Sequence, residues 1–310
     1  MKLISIVSQC YNEEENIRPL FEEVKQTMAA FPDYRWEYIF IDNNSEDKTP
    51  TVLREMAQQD HNVKVIYNTR NFGQIRSPLH AMLQARGDAV ISLVSDFQEP
   101  PALIADFIRK WEEGYKIVVG VKNKSEEPWL VHVIRKTYYR FIERLAEIKL
   151  AKDVTGFGLY DRDVIEMVRK IDDPYPYLRG LICDLGYERA EIRYTQPKRR
   201  SGRTKNNFFT LYDYAMLGIT NHSKIPLRLA AMIGFLLSIL CLLVAVGYFV
   251  YKLLFWKMFS LGLAPVVIGL FFFASVQLFF LGVIGEYIGS IYTHIKKRPL
   301  VVEKERLNFD

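Results

Sequence analysis

The sequence predicts an α/β domain built on a mostly parallel sheet with helices on both faces, followed by an interfacial helix and two transmembrane helices. Three observations predict this arrangement. The first 120 residues alternate short β-branched segments with segments of helical spacing. Polar clusters follow each of the first four strand-like segments. Two late segments, 229–251 and 258–285, contain no Asp, Glu, Lys or Arg over 23 and 28 residues.

The predicted strands are short, apolar and rich in β-branched residues. They cover 3–9, 38–42, 63–68, 89–95 and 116–121. The predicted helices between them cover 16–30, 50–59, 77–86 and 101–113. A further helix over 129–149 and mixed structure over 153–194 complete the domain.

The polar clusters lie where the predicted strands end. They are 11–13, 42–45, 71–74 and 96–98. Ligands bind at the carboxyl ends of the strands in sheets of this kind. The four clusters therefore predict one site at one edge of the sheet.

The two charge-free segments are each long enough to cross a hydrocarbon core of about 30 Å. The alternative is a pair of buried helices in a large soluble core. Segment 208–220 is aromatic and amphipathic, which favours a helix in the membrane interface. The predicted layout is a cytoplasmic domain over 1–205, the interfacial helix over 206–227, a two-span hairpin over 228–290 and a basic tail over 291–310.

Charge and cysteine content bear on the location of the chain. Lys224 and Arg228 flank the first predicted span and three cations, 296–298, follow the second, which favours both termini in the cytoplasm. The three cysteines show neither disulfide nor zinc spacing, which fits a reducing compartment. The first residues contain too short an apolar stretch for a signal peptide.

Five segments in order carry a resemblance to a known family: SQCYNEEENI, IDNNSEDKT, RNFGQIRSPLHAM, SDFQEPPALI and RRSGRTK. Together they resemble the inverting glycosyltransferases of family 2, which have the GT-A fold, a Rossmann-like sheet. The subgroup with two C-terminal spans, polyprenyl-phosphate glucosyltransferases and dolichol-phosphate mannose synthases, is similar over essentially the whole chain. The resemblance implies an integral protein of a bacterial inner membrane.

The resemblance also implies an activity. A hexose, glucose first, would pass from a nucleotide sugar such as UDP-glucose to a polyisoprenyl phosphate such as undecaprenyl phosphate. The product would be a lipid-linked sugar donor for downstream glycosylation. The implied cofactor is Mg²⁺ or Mn²⁺, and no nucleic acid is expected as a partner. A homo-oligomer is compatible with the sequence.

The metal site implied by the resemblance is Asp96 with Gln98. Family members carry Asp-x-Asp-x-Gln here, and Val94 replaces the first Asp in this chain. Mg²⁺ accepts one or two carboxylates and completes its shell with water and phosphate oxygens, so one Asp is workable. The alternative is that Asp96 is a helix N-cap.

The implied nucleotide-sugar site comes from the turns after the strands and from the late basic segment. Gln9 stands where the family usually has proline, and Asn43 where it often has a second Asp. Turn formation alone also explains the Asn and Asp residues. The candidate residues are Ser8, Gln9, Tyr11, Glu13, Asp42, Asn71, Gly73, Gln74, Ser77, Ser95, Arg200 and Lys205.

The basic segment 198–205 has five cations in eight residues. It is similar to a family loop that closes over the donor diphosphate. A nucleic-acid patch and a solvated charge run are the alternatives.

The acceptor phosphate is assigned by resemblance to Lys122, Lys124, Arg135 and Arg140. A basic surface facing the membrane is the alternative. Asp153 is expected to orient a sugar hydroxyl, which gives Asp96, Lys122, Arg135 and Asp153 as the catalytic set. Other functions stay open: a membrane-tethered nucleotide-sugar binder with little activity, and a processive polysaccharide synthase. The synthase signature Gln-x-x-Arg-Trp is absent, because Pro32 precedes Arg35 and Trp36 at the Gln position.

Overall fold

A computed structural model gives the architecture of the chain. It describes residues 1–124, 154–197, 199–200, 212–213, 216–220, 223–255 and 263–309. The predicted helix over 129–149 and most of the predicted interfacial helix lie outside the described residues. Within that helix, 216–220 are helical.

Strands and helices alternate through the first 124 residues, as the sequence predicts. The strands are β1 (Lys2–Cys10), β2 (Tyr34–Asp42), β3 (Val63–Asn68), β4 (Ala89–Ser92), β5 (Ile117–Lys124), β6 (Val154–Asp161), β7 (Arg189–Thr195) and β8 (Glu303–Leu307). The helices are α1 (Ile17–Met28), α2 (Thr49–Gln59), α3 (Gly73–Gln84), α4 (Leu103–Glu112), α5 (Arg162–Ile171), α6 (Leu178–Asp184), α7 (Ile225–Leu254) and α8 (Leu263–Ile295).

The described strands form one mixed sheet. Its order is β7-β5-β6-β4-β1-β2-β3-β8. Strand β1 is parallel to β2 and β4, β2 is parallel to β3, and β5 is parallel to β7. Strands β6 and β8 are antiparallel to their neighbours. Six of the eight strands therefore end at the same edge, and the predicted fold class is confirmed.

Alternating side chains of β2 bury both faces of the sheet. Tyr38 and Phe40 pack with α1, α2 and α4 on one face. Ile39 and Ile41 pack with α3, α5 and α6 on the other. A central strand covered on both faces reads as a continuous apolar run, which is the pattern of YIFI.

Several element bounds differ from the sequence-based expectation, and two of the differences have a clear local reason. Strand β4 ends at Ser92, because the next residues turn to bond across to β1: the Ser95 hydroxyl donates to the Gln9 carbonyl at 2.6 Å. Helix α3 begins at Gly73 rather than at residue 77, even though Pro78 lies inside it. The Asn71 side chain accepts from the Gly73 amide at 2.8 Å, and Gly73 has φ +82°, which favours glycine.

Helices α7 and α8 are long, apolar and exposed. They have 30 and 33 residues, which corresponds to about 45–50 Å at 1.5 Å per residue. Segments Ile225–Val244 and Gly269–Ile295 have the length and hydropathy to cross a membrane. Phe235, Phe271 and Phe279 expose 68, 68 and 67% of their surface, a pattern that water-facing helices avoid.

Strand β8 joins the residues after α8 to the same sheet. It pairs with β3 so that Glu303 opposes Asn68, the last residue of β3. Arg54 forms a two-pronged ion pair with Glu305, and the Asn308 amide donates to the carbonyls of Ala57 and Val63. The predicted tail residues thus cover the edge of β3, which would otherwise present unpaired backbone groups.

Candidate active site

The candidate site lies at the edge where the six codirectional strands end. Asp42 ends β2, and the turn that contains Asp96 follows β4. Lys122 lies near the end of β5, and residues 196–200 follow β7. The topology therefore brings together the four predicted polar clusters and the start of the basic segment.

The turns after β1 and β2 are fastened to each other by hydrogen bonds between side chains and backbone. The Asn12 amide donates to Ser45 Oγ at 2.9 Å, and the Glu46 amide donates to Asn12 Oδ1 at 2.8 Å. The Glu13 amide donates to Thr49 Oγ1 at 2.8 Å. Asn12 adopts φ +56°, a conformation that Asn tolerates better than most residues. These bonds fix one wall of the site before any ligand arrives.

Asp42 lies beneath this wall and is 1% exposed. Its carboxylate accepts from the Ser45 hydroxyl at 2.5 Å and from the Ser45 amide at 3.1 Å. Burial raises the pKa of Asp42 above its ordinary value, and the bonds from Ser45 only partly offset that rise.

The residues of β1 differ in what they offer to a ligand. The Ser8 hydroxyl is fully buried, 2.9 Å from the Tyr38 hydroxyl and 2.7 Å from the Leu93 carbonyl to which it donates. Ser8 therefore ties β1 to β2 and to the residue that follows β4. Gln9 Oε1 is buried and finds no hydrogen-bond donor in the described part of the chain. Tyr11 is partly exposed at the start of the following turn.

Asn43 organises the turn that precedes α3. Its side-chain oxygen accepts from Asn68 Nδ2 at 2.9 Å, from the Phe72 amide at 3.3 Å and from the Ser77 hydroxyl. The Ser77 oxygen also accepts from Asn68 Nδ2 at 3.3 Å. Ser77 is fully buried in this network, whereas Asn71, Gly73 and Gln74 lie on the exposed turn that the network holds in place.

Asp96 lies in a tight turn with an uncommon backbone. Its Oδ1 accepts from the Gln98 amide at 3.1 Å, and Phe97 between them has φ +61°. A non-glycine residue in this region is a strained conformation that concentrates at functional sites. Ser95 precedes the turn and is buried, whereas the Gln98 side chain is partly exposed.

Arg199 and Arg200 of the basic segment dock on this turn. Arg199 Nη2 lies 2.7 Å from Asp96 Oδ2, and the Arg200 amide donates to the Asp96 carbonyl at 3.4 Å. The Arg200 guanidinium lies 4.9 Å from the centre of the Phe97 ring and pairs with Glu23 at 3.4 Å. The basic segment thus begins directly over the candidate metal ligand.

The donor set at Asp96 fits a divalent ion only when a ligand completes the shell. The described residues contain no group of three or more His, Cys, Asp or Glu side chains that could hold a metal. Asp96 does hold a cation already, the Arg199 guanidinium, so the position stabilises positive charge. One carboxylate, the Gln98 amide oxygen and two diphosphate oxygens suit the oxygen preference of Mg²⁺.

The residues predicted for the acceptor phosphate are only partly described. Lys122 Nζ donates to Gln196 Oε1 at 2.9 Å, which links β5 to the residue after β7. The backbone of Lys124 pairs with Thr195. Arg135, Arg140, Asp153 and Lys205 lie outside the described residues.

Three side chains at this edge were not among the residues predicted for the site. The sequence pattern favours Arg200 and Lys205 over Arg199 and presents Asn43 as a departure from the family pattern. The structure places Arg199 on Asp96 and Asn43 at the centre of a hydrogen-bond network. Glu99 is 4% exposed and accepts from the Val94 amide at 2.9 Å. Its acidic residue type beside the Pro100-Pro101 pair is the sequence signal that could have identified it.

Comparison with known proteins places the chain in a family. The profile described as Glycosyl transferase family 2 matches residues 5–169. A Synechocystis protein named "Uncharacterized glycosyltransferase sll0501" is 32% identical, over 96% of this chain and 93% of that protein. A bactoprenol glucosyl transferase of Shigella phage SfV is 30% identical, over 97% of this chain and 98% of the relative.

Among solved structures, glucosyl-3-phosphoglycerate synthase from Mycobacterium tuberculosis, in complex with Mn²⁺, UDP and phosphoglyceric acid, is similar at 17% identity. The match covers 71% of this chain and 76% of that one, with a TM-score of 0.49. The profile match spans more than half of the chain, and the relatives align over nearly all of it. The protein belongs to glycosyl transferase family 2.

Proposed function

We propose that this protein transfers glucose from UDP-glucose to a polyisoprenyl phosphate at the membrane surface, with inversion at the anomeric carbon. The relatives named bactoprenol glucosyl transferases, which match over nearly the full length, support this acceptor and this sugar. The observation that carries the proposal is the direction in which the candidate site faces.

The edge that holds the candidate site is the edge at which the chain returns from α8. Glu303 enters the sheet beside Asn68, and the Thr69 amide donates to the Val302 carbonyl at 2.9 Å. His294, near the end of α8, lies 3.2 Å from Asp173, and Arg76 at the start of α3 donates to the Pro299 carbonyl. A bilayer that holds α8 would therefore lie next to the strand ends, within reach of a lipid phosphate.

The sheet also constrains how the apolar hairpin crosses a bilayer. Strands β1 to β7 precede α7, and β8 follows α8, yet all belong to one sheet. Both ends of the hairpin must then emerge on the same side of the membrane. The cations at 224, 228 and 296–298 favour the cytoplasm for that side.

The donor would lie between the fastened turns and the Asp96 turn. Gln9 Oε1, which lacks a donor among the described residues, suits the imide N–H of uracil once the side chain turns outward. Asp42 and Glu13 support the wall behind the ribose. Arg200 and Lys205, with Arg199, would meet the diphosphate when the basic segment closes.

A divalent ion held by Asp96 and Gln98 would neutralise the leaving diphosphate when bound. Side chains of the protein would have to offset the repulsion that remains between the acceptor phosphate and the donor diphosphate. The acceptor phosphate has its second pKa near 6 and is mostly dianionic at neutral pH, so it attacks without a general base. Like unit charges 4 Å apart repel by about 4 kcal/mol at an effective dielectric of 20. Lys122, Arg135, Lys124 and Arg140 are proposed to offset that repulsion on the acceptor side.

Asp153 is proposed to orient a hydroxyl of the transferred sugar. Loss of turnover in Asp153→Asn that high pH restores would contradict that role. The competing hypothesis of a membrane-tethered binder with little activity rests on Gln9, Asn43 and Val94. Calorimetry with UDP-glucose, run beside a turnover assay, separates it from the enzyme, since binding without turnover supports the binder.

The test is one assay on the purified full-length protein with undecaprenyl phosphate, Mg²⁺ and a panel of nucleotide sugars, with lipid products identified by mass. A hexosyl-phosphoryl-lipid formed from UDP-glucose is expected. Asp96→Ala should lower its rate by at least about 100-fold, the scale of losing one preorganised electrostatic group. Asp106→Ala, an exposed acid on α4, is the matched control and should retain activity. Full activity in Asp96→Ala contradicts the metal assignment, and long polymeric products favour a processive synthase.

A further inference from the structure

Arg199 and a divalent ion compete for the same carboxylate oxygen. Arg199 Nη2 lies 2.7 Å from Asp96 Oδ2, while Asp96 Oδ1 accepts from the Gln98 amide. Both oxygens of the carboxylate are thus engaged. The side chains of Arg199 and Asp96 are 26% and 11% exposed, so water screens the pair only partly.

We propose that Arg199 is an exchangeable counter-cation, which holds Asp96 while the donor is absent and moves to the donor diphosphate when a metal ion takes its place. A guanidinium and a dication on one carboxylate oxygen repel each other, so the ion can bind only after Arg199 leaves. The diphosphate is the anion that receives the displaced guanidinium, and planar guanidinium groups match phosphate oxygens well. This inference rests on the proposed nucleotide-sugar donor.

The backbone at this point allows such a move. The backbone after Arg199 is held in place by a hydrogen bond, in which the Arg200 amide donates to the Asp96 carbonyl at 3.4 Å. The Arg200 side chain in turn contacts Glu23 and the Phe97 ring. These contacts do not involve the Arg199 side chain. The guanidinium can therefore leave Asp96 by side-chain rotation while the segment stays docked beside the turn.

The exchange has a thermodynamic consequence. The free protein should bind a divalent ion weakly, because the ion must first displace Arg199. Metal and nucleotide should then bind with positive coupling, and linkage requires each to raise the affinity for the other by the same factor. Because Val94 replaces the first acidic residue of the motif, Asp96 is its one remaining Asp, and Arg199 neutralises the Asp96 carboxylate while the metal ion is absent.

The test measures Mn²⁺ binding to the full-length protein by the loss of the free-ion paramagnetic resonance signal, without nucleotide. Arg199→Gln should bind Mn²⁺ about tenfold more tightly than the wild type, within the usual range of coupling between sites. Arg109→Gln is the matched control, because it removes the same charge from an exposed position on α4, where Arg109 pairs with Asp106 at 3.2 Å, and its Mn²⁺ affinity should stay within about twofold of the wild type. Arg199→Lys should lie between Arg199→Gln and the wild type.

The same titrations with UDP present measure the coupling. In the wild type UDP should raise Mn²⁺ affinity strongly, and in Arg199→Gln that factor should fall. Unchanged or weaker Mn²⁺ binding by Arg199→Gln, with circular dichroism like that of the wild type, would overturn the exchange. Absence of UDP binding in every variant would contradict the proposed donor instead, while the measurements with the metal alone would still decide the competition.

Discussion

The Asn43 network offers the sharpest test of how this fold prepares the candidate site. One buried amide oxygen accepts from three donors: Asn68 Nδ2, the Ser77 hydroxyl and the Phe72 amide. Asn43, Asn68 and Ser77 are 3, 1 and 0% exposed, so water cannot replace a lost acceptor. Replacing Asn43 with Leu, which has a similar shape, removes the acceptor and leaves the donors in place.

The expected loss of stability depends on whether each donor finds another acceptor after the Asn43 oxygen is removed. Asn68 Nδ2 can still donate to the Ser77 oxygen, at 3.3 Å in the native network, but the Ser77 hydroxyl hydrogen and the Phe72 amide both lose the Asn43 acceptor. Each buried donor left unpaired costs about 1–3 kcal/mol, so the loss of two should lower the free energy of unfolding of Asn43→Leu by about 2–6 kcal/mol. The turn 71–73 should also loosen, which raises the dissociation constant for UDP.

Chemical unfolding of the full-length protein in detergent, followed by tryptophan fluorescence, measures the first effect, and calorimetry with UDP measures the second. Asn43→Asp is the matched control, because a carboxylate retains the acceptor oxygen. Its extra charge beside buried Asp42 should cost some stability, but the retained hydrogen bonds should keep the loss to about 2 kcal/mol or less. Equal losses in the two variants would refute the view that the acceptor oxygen holds this turn.

Two further predictions concern the frame around the site. Glu37 is 4% exposed and pairs with Lys64 at 2.6 Å; burial opposes its ionisation, but bonds from Lys64, Ser5 and the Arg86 amide outweigh burial and lower its pKa. Glu37→Gln should cost about 3–5 kcal/mol at neutral pH, as for a broken buried pair. The pKa of Glu37 is lowered in the folded state, so the wild type should exceed Glu37→Gln in free energy of unfolding by the full amount above the unfolded pKa of about 4.3. This difference should shrink as pH falls through the folded pKa. Urea titrations at several pH values measure it, and a difference that does not change with pH would contradict the role of the ion pair. Deletion of residues 300–310 should expose the β3 edge, lower the apparent melting temperature and promote aggregation. Arg54→Gln breaks the exposed ion pair with Glu305 and the contact with the Tyr67 ring but leaves β8 in place, so it should change stability by less than about 1 kcal/mol. Thermal scans with light scattering compare the two variants.

The main features of the fold could be predicted from the sequence because its signals are local. The alternation of β-branched and helical segments predicts the first five strands, and the absence of charged residues predicts the two apolar helices; the structure contains all of them. Strand β8 could not be predicted in the same way. The segment EKERL has alternating charge and little apolar content, and it becomes a strand only because the edge of β3 is available to pair with it.

The site was predictable in position but less so in the roles of individual residues. The pattern of strands predicts that the four polar clusters lie at one edge of the sheet, because parallel strands end together, and the topology confirms that arrangement. The roles of Asn43 and Arg199 depend on contacts between residues far apart in sequence: Asn43 with Ser77, and Arg199 with Asp96. Ser8 illustrates the converse: its place in the segment SQCYNEEENI predicts donor contact, whereas its hydroxyl joins β1 to Tyr38 and Leu93.

The central claim is that the strand-end edge sits at the headgroup level of a bilayer. Spin labels at Asn71→Cys, on that edge, and Asp33→Cys, before β2 at the opposite edge, test it directly in a background with Cys10, Cys183 and Cys241 replaced. In bilayers that contain nickel-chelating lipid headgroups, the label at residue 71 should relax strongly and the label at residue 33 weakly. Stronger relaxation at residue 33, or none at residue 71, would contradict the placement of the site against the lipid.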